Sequence, residues 1–178
     1  MKIYLKKINK KDIDYIYNLG KNNLEIYYKK GDINNIIMND DFSAFKVVYN
    51  NNIIAFVISQ KMYNSRLHIN SIAVNKKYRR HGVGTFMINK IKFIFNKYKY
   101  ITLFVSVKNR KALKLYIKNN FNIVNLIKKY YYTLNEDAYF MYYNKDNIKY
   151  NNSYNVNNVN IIIISFILFF LYYMIFIF

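Results

Sequence analysis

The segment of this chain with the strongest chemical signal is RRHGVGT, residues 79–85. Its two glycines, Gly82 and Gly84, let the backbone approach a ligand closely and adopt conformations that other residues avoid. Because a helical pattern follows, the loop amides and the first free N–H groups of that helix should form an anion-binding concavity. Arg79 and Arg80 would add cationic donors for phosphate. A plain turn is the alternative, since the segment has neither GxGxxG nor the Lys-Ser/Thr of a P-loop.

Other side chains that could do chemistry are one histidine and three tyrosines. His68, in a strand-like run, could accept a proton, and Tyr116, Tyr130 and Tyr131 could donate one. The alternative is structural: a lone strand histidine is often a hydrogen-bonded filler, and the chain has 21 tyrosines. The absence of cysteine excludes a thiolate nucleophile and a sulfur-ligated zinc site, and two histidines leave little for a metal centre. The acidic pair at 136–137 is interpreted as the polar start of a strand.

The elements that must position these residues follow from hydrophobic periodicity, which alternates in strands and recurs every three or four residues in helices. The resulting order, β-α-α-β-β-β-α-β-α-β-β, predicts a mixed α/β sheet. The predicted strands are 1–8, 42–49, 53–60, 66–74, 100–107, 121–127 and 137–143, and the predicted helices are 10–20, 31–38, 82–97 and 109–120.

Two details of these elements bear on the site. Asp12 is expected to cap the first helix. The helix at 109–120 is amphipathic, with the apolar residues Ala112, Leu113, Tyr116 and Ile117 expected inward and the lysines Lys111, Lys114 and Lys118 outward.

The glycine loop and the next helix together resemble the GNAT acetyltransferase superfamily. The resemblance is carried by R-x-x-G-x-G from Arg79, then a strand, then N-x-x-A-x-x-x-Y-x-x-x-x-F from Asn109 to Phe121. It implies the GNAT fold, a mostly antiparallel mixed sheet flanked by helices, with acetyl-CoA as co-substrate and no metal. In that family the loop binds the pyrophosphate of the cofactor, and the tyrosine, here Tyr116, lies beside the thioester sulfur.

A narrower resemblance is to protein N-terminal acetyltransferases, and within them to the catalytic subunit of the B-type (NatB) complex. It covers residues 66–142 well and residues 1–60 loosely. Asn120 stands where the family has glycine, and Lys76 stands where it has proline. The residues that carry it are His68, Leu103-Phe104-Val105, Asn109, Tyr130-Tyr131, Glu136-Asp137-Ala138-Tyr139 and Met141, with Glu25-Ile26-Tyr27 resembling a substrate loop.

The resemblance implies roles for these residues. His68 would accept the proton of the attacking α-amine, directly or through water. Tyr131 or Tyr130 would orient that amine or share the proton relay, and Tyr116 would protonate the departing thiolate. A strand N–H near Ala73 and Val74 would stabilise the tetrahedral oxyanion. The implied cofactor-binding residues are Ile72, Ala73, Val74, Arg79, Arg80, His81, Gly82, Val83, Gly84, Thr85, Asn109 and Tyr116, and the implied substrate-binding residues are Glu25, Tyr27, His68, Asn70, Tyr130 and Tyr131.

The composition changes after residue 148. We interpret residues 1–148 as the catalytic domain, 149–160 as an asparagine-rich linker and 161–178 as a C-terminal transmembrane helix. The last segment is apolar apart from Ser165 and the hydroxyls of Tyr172 and Tyr173, and its eighteen residues in a helix would rise about 27 Å, close to the hydrocarbon thickness of a bilayer. A packed core strand or helix is the alternative interpretation of this terminus.

Residues 1–10 lack the apolar core of a signal peptide. The lysines are then expected on the cytosolic side, and insertion is expected after synthesis, into an endoplasmic reticulum or Golgi membrane.

These observations support one leading hypothesis and two alternatives. The first is acetylation of proteins that begin Met-Asp, Met-Glu, Met-Asn or Met-Gln, with a helical-repeat auxiliary subunit implied by the resemblance and the ribosome nearby. The second is a membrane-bound enzyme of the Golgi type acting on Met-hydrophobic or Met-Lys termini. The third is a non-catalytic tethered module whose net charge of +19 binds a polyanion; the glycine loop argues against it.

Overall fold

Runs of β-branched and aromatic residues form the strands of one mixed sheet in the computed structural model, which describes residues 1–146. Within these residues the strands are β1 (Tyr4–Lys7), β2 (Phe42–Tyr49), β3 (Asn52–Met62), β4 (Arg66–Val74), β5 (Tyr100–Ser106), β6 (Asn122–Tyr131) and β7 (Glu136–Asn144). The helices are α1 (Ile13–Asn23), α2 (Lys30–Met38), α3 (Val83–Ile94) and α4 (Arg110–Lys118).

The sheet has the strand order β1-β2-β3-β4-β5-β7-β6. Every neighbouring pair is antiparallel except β4 and β5, which run parallel. The predicted mixed, mostly antiparallel sheet flanked by helices is therefore confirmed.

The parallel pairing of β4 and β5 is short. It joins Arg66 to Tyr100 and continues only as far as Ile69 opposite Leu103. Beyond that point the two strands separate, although β4 stays paired with β3 and β5 stays paired with β7. The separation opens the middle of the sheet and leaves the facing edges of β4 and β5 unpaired with each other.

The sheet buries a hydrophobic cluster on each face. One cluster joins α3 and α4 to strand residues such as Val57, Leu103 and Met141. The other joins α1 and α2 to Phe56, Ile58 and Ala73. Because neighbouring strand residues such as Phe56 and Val57 belong to different clusters, the two helix pairs lie on opposite faces of the sheet.

Asparagine takes left-handed positions where glycine is common. Asn50 and Asn51 have φ of 46° and 61° and form the two-residue turn between β2 and β3. Asn120, which was noted as a replacement for glycine, follows α4 with φ of 61°.

Three local expectations are corrected. α3 ends at Ile94 rather than residue 97, and β6 continues to Tyr131 rather than 127. Asp12 makes no side-chain cap to α1. Its carboxylate instead accepts a hydrogen bond from the Asn9 N–H and pairs with Lys46 at 2.5 Å.

The end of the predicted domain at 148, the linker at 149–160 and the apolar segment at 161–178 lie outside the described residues. Among residues 1–146, none of the helices combines the length and apolar character needed to cross a bilayer.

Candidate active site

The separated strands border a cavity of about 670 Å³. β4 contributes residues 69–74 to its lining, starting at the last parallel pair, and β5 contributes residues 104–106, which lie just beyond that pair. The loop before α3 with the first turn of that helix, one side of α4, and the end of α1 with the segment after it also line the cavity. Tyr131 of β6 and Leu134 complete the lining. Unpaired strand edges offer N–H and C=O groups to a ligand in the gap.

The glycine loop lies at the start of α3 as predicted. Gly82 is the residue before the helix and has φ of 78°, and Arg80 also has a positive φ of 67°. At Gly84, an added Cβ would lie 2.8 Å from a terminal methyl carbon of Leu115, so the missing side chain lets α4 approach the loop. Free N–H groups at this helix start can bind an anion.

Arg79 makes structural hydrogen bonds to two neighbouring elements. Its Nε donates to the Val74 carbonyl at 2.9 Å, and its Nη2 donates to the Asn23 side-chain oxygen at 3.1 Å. The guanidinium therefore ties the end of α1 to the end of β4. Arg79 also lines the cavity, so its predicted role as a phosphate donor stays a prediction, and Arg80 is the more exposed arginine of the lining.

Tyr116 is buried on α4 and lines the cavity. Burial raises the pKa of its phenol, with a smaller contribution from Tyr131, so the hydroxyl keeps its proton at neutral pH. A neutral phenol at this position can donate a proton or a hydrogen bond to a developing anion.

Acidic and aromatic side chains border the cavity where the segment after α1 meets the end of β6. Glu25 and Tyr131 line it, and Tyr131 donates a long hydrogen bond of 3.4 Å to the Phe104 carbonyl. Burial raises the pKa of Tyr131 to about 12, and the charges of Glu136 and Glu25 contribute to the rise.

Glu136 is hydrogen-bonded to neighbouring side chains. It accepts hydrogen bonds from Lys108 at 2.7 Å and from Ser106 at 2.5 Å, which hold the pKa of its carboxyl below the usual value. Asp137 is bound by Lys128 and the Lys129 N–H. The two carboxylates thus serve separate contacts, in keeping with their interpretation as a polar strand start.

His68 lies on β4 outside the cavity lining, at 6 % exposure. Its Nδ1 is 3.0 Å from the Thr102 hydroxyl, and its ring contacts that of Phe104. Burial lowers the pKa of the imidazole to about 3, and the nearby Arg66 charge contributes. A buried, weakly basic imidazole outside the lining does not favour direct acceptance of the amine proton, and acceptance through a water molecule stays a prediction.

Asn70 lies at an irregularity in β4, between the pairs that join Ser71 to Ile58 and Ile69 to Ser59. It lines the cavity, and its Oδ1 is buried with no hydrogen-bond partner among the described residues. Its Nδ2 faces Gln60 Oε1 at 3.5 Å. A buried acceptor without a donor is costly unless a ligand supplies one.

Most of the predicted site residues come together in this cavity, and four do not. The predicted residues that line it are Glu25, Asn70, Ile72, Ala73, Val74, Arg79, Arg80, Gly82, Val83, Gly84, Thr85, Asn109, Tyr116 and Tyr131. Outside the lining lie His68, the exposed His81, Tyr27, which packs on Tyr17, and Tyr130, which stacks on Phe104 at 4.1 Å.

Sequence reasoning missed several lining residues. Phe104, which was named only as part of the 103–105 motif, and Ser106 were not predicted as site residues because each fits an ordinary strand pattern. Only the separation of the strands brings them to the cavity. Lys111, Lys114 and Lys118 were expected to face solvent, whereas they also line the cavity. Their spacing of three and four residues was the available signal.

A comparison with protein families finds one match to this fold. The model of the acetyltransferase (GNAT) family matches residues 13–121, which include α1, the glycine loop and α4.

Among curated proteins, an N-alpha-acetyltransferase of Sulfolobus acidocaldarius is 44% identical over 77 residues. That alignment covers 42% of this chain and 45% of the archaeal protein. The chain therefore matches a little under half the length of this relative.

Two solved structures share the fold at low sequence identity. The ribosomal-protein-S18-alanine N-acetyltransferase of Escherichia coli superposes with a TM-score of 0.73 at 20% identity, covering 80% of this chain and 94% of that one. Arabidopsis thaliana NAA60 in complex with acetyl-CoA also superposes with a TM-score of 0.73, at 19% identity, covering 82% and 99%.

Proposed function

This chain belongs to the acetyltransferase (GNAT) family, and from that membership we propose that it transfers an acetyl group from acetyl-CoA to the α-amine of protein N-termini. The choice of protein N-termini is supported by the N-alpha-acetyltransferase that shares 44% identity over 77 residues. The observation that carries the proposal is the cavity between β4 and β5, with the glycine loop at its border.

The charges around this cavity suit two different reactants. Arg80 and the amides at the start of α3 lie on the α3 and α4 side of the sheet. Glu25, in the segment between α1 and α2, borders the cavity from the other helix pair. A polyphosphate would be favoured on the first side and an ammonium on the second, so the reactants would meet in the gap between the strands.

The reaction is direct attack of the amine on the thioester carbonyl. The C–N bond forms as the carbonyl oxygen takes the negative charge, and an N–H of β4 near Ala73 and Val74 is our candidate to stabilise it. The intermediate then expels the coenzyme A thiolate, which receives a proton from Tyr116. The amine nitrogen loses its proton to water, and Tyr116 regains a proton from solvent, which restores the phenol for the next cycle.

A strong base is not required. An α-amine has a pKa of about 7.7–8.0, so roughly a tenth is already neutral at pH 7. Positioning therefore matters more than basicity. We assign the orientation of the amine to Asn70 and Tyr131, which line the cavity, with Glu25 attracting the ammonium form on approach.

We further propose that the substrates are those of the B-type enzyme, which are proteins that begin Met-Asp, Met-Glu, Met-Asn or Met-Gln. The motifs at residues 103–105, 130–131 and 136–141 support this proposal.

The full chain is assayed with acetyl-CoA and peptides of each class, and the acetylated N-terminus is identified by mass spectrometry. Tyr116→Phe, which keeps the ring, should lower kcat about 100-fold. Tyr98→Phe is the matched control and should keep full activity. Preference for Met-Leu or Met-Lys termini would contradict the B-type assignment, and no acetylation of any peptide would contradict the function.

A membrane-associated enzyme of the Golgi type is the second candidate, favoured by the apolar sequence at 161–178. In this proposal the catalytic domain is cytoplasmic and is held on an endoplasmic reticulum or Golgi membrane. Microscopy of the tagged chain with and without residues 161–178 tests it, because an unchanged distribution would contradict anchoring.

We also propose a helical-repeat auxiliary subunit and proximity to the ribosome, and copurification with the full chain would test both.

A further inference from the structure

Three lysines on α4 border the cavity although their sequence pattern predicts a solvated face. Lys111, Lys114 and Lys118 are exposed, and all three belong to the lining. Their spacing along a helix places them on one side, one above the other. We call these three lysines the α4 lysine face. Together with Arg80 they form a cationic border of the cavity.

The lysine face is held close to the glycine loop by packing. Leu115 packs against Gly84, where an added Cβ would lie 2.8 Å from its terminal methyl carbon. At the other end of α4, Asn119 donates to the Thr85 hydroxyl at 3.4 Å, and Lys92 of α3 donates to the Asn119 carbonyl at 2.6 Å. These contacts fix α4 against the loop, so the lysines and the glycine loop border the same cavity.

No carboxylate neutralises these lysines within residues 1–146. The ion pairs in this part of the chain involve Lys30, Lys46, Lys99, Lys108 and Lys128. Glu25, which lines the cavity, and Glu136 interact with Lys108 and Tyr131. Three unneutralised cations beside an anion-binding loop favour a ligand with more than one phosphate group.

We propose that the α4 lysine face binds the 3′-phosphate at the nucleotide end of acetyl-CoA, beside the diphosphate that the glycine loop binds. The proposal rests on the proposed function for the identity of the ligand. Coenzyme A carries a diphosphate and a separate phosphate monoester on its ribose, and one concavity of amides accommodates only the first. Lysine suits an exposed monoester because its ammonium is a flexible point charge.

The test compares coenzyme A with dephospho-coenzyme A, which lacks only the 3′-phosphate. Binding of each to the full chain is measured by titration calorimetry at low salt. The unaltered chain should bind coenzyme A about tenfold more tightly, since exposed ion pairs are individually weak but act together here. The triple variant Lys111→Gln, Lys114→Gln, Lys118→Gln should lose this preference by weakening coenzyme A alone.

The matched control removes three exposed charges elsewhere, Lys10→Gln, Lys21→Gln and Lys97→Gln, and should keep the preference. Equal binding of the two compounds by the unaltered chain would overturn the proposal, as would an equal loss of both in the lysine-face variant. These titrations contain no peptide, so a negative acetylation assay would not contradict the phosphate-binding proposal. Negative titrations would likewise not contradict the proposed function as long as peptides are acetylated.

Discussion

At the scale of single residues, the site depends on which polar atoms lack a partner rather than on which residue types are present. His68 is the more reactive side chain by type, yet it is buried beside Thr102 and Phe104 outside the cavity. Asn70 carried no motif of its own, yet its Oδ1 is the buried acceptor in the cavity lining that lacks a donor within residues 1–146. We therefore expect substrate orientation to depend on Asn70.

Substitution of Asn70 should affect the peptide and spare the cofactor. Asn70→Ala is expected to raise the KM for peptide about tenfold, because it removes an acceptor for a charged donor, while the KM for acetyl-CoA stays unchanged. Asn70→Asp should shift the alkaline rise of kcat upward by about one pH unit, because a carboxylate beside the amine stabilises its ammonium form. Asn96→Asp, on the exposed segment after α3, is the control. An unshifted pH profile in Asn70→Asp would contradict this role.

His68 should make the fold sensitive to acid. Its pKa is lowered from 6.5 to about 3 by burial, so between these values the unfolded chain binds a proton that the folded chain does not. The free energy of unfolding therefore falls as pH falls from 6.5 toward 3, by up to about 1.4 kcal/mol per pH unit from this residue. In urea titrations from pH 4.5 to 6.5, His68→Gln should show a shallower slope than the unaltered chain. The exposed His81→Gln is the control; equal slopes for both variants would count against burial as the cause.

At the scale of elements, the loop before α3 depends on one backbone conformation. Gly82 has φ of 78° with open space where its side chain would be. Gly82→Ala therefore meets no steric clash but places an L-residue in the left-handed region, at a cost of about 1–2 kcal/mol. Relief of that strain should distort the loop, so acetyl-CoA affinity should fall at least tenfold while the fold persists.

The control for this loop is Gly31→Ala in α2, where an added Cβ meets nothing within 4 Å. In a helix this change should raise the free energy of unfolding by a few tenths to about 1 kcal/mol. Calorimetric titration with acetyl-CoA and thermal melts measure both effects. Unchanged affinity in Gly82→Ala would show that the loop conformation does not matter for binding.

At the scale of the whole molecule, the described residues already contain the sheet, a hydrophobic cluster on each face and the cavity. Residues 1–146 form one unit by their internal contacts. We therefore expect a chain ending at residue 148 to fold by itself, with a melting temperature within about 4 °C of the full chain and the same acetyl-CoA affinity. Thermal melts and titrations of both chains measure this. Loss of cooperative unfolding in the shorter chain would contradict the domain end predicted from the sequence.

Much of this molecule follows from local sequence. Period-two and period-four patterns give each strand and helix within a few residues, because burial on one face imposes those periods. The glycine loop is also local, since Gly82 must adopt a positive φ at a helix start. Asparagine at positions 50, 51 and 120 marks turns for the same reason. Hydrophobic periodicity and backbone sterics depend on residues that are close in the sequence, so both can be predicted without a structure.

The tertiary structure decided which side chains face the cavity. Whether Phe104 lines a gap or packs in a sheet depends on where β4 and β5 separate, and the pattern of either strand alone is the same in both cases. Ile117, expected inward, is 51% exposed, while Leu115 packs on Gly84. Residues far away in the sequence bury His68, and this burial weakens it as a base. Residues far away in the sequence also hold α4 near the loop, so that its lysines border the same cavity. Long-range packing determines solvent access and electric field, and these determine what a given residue can do.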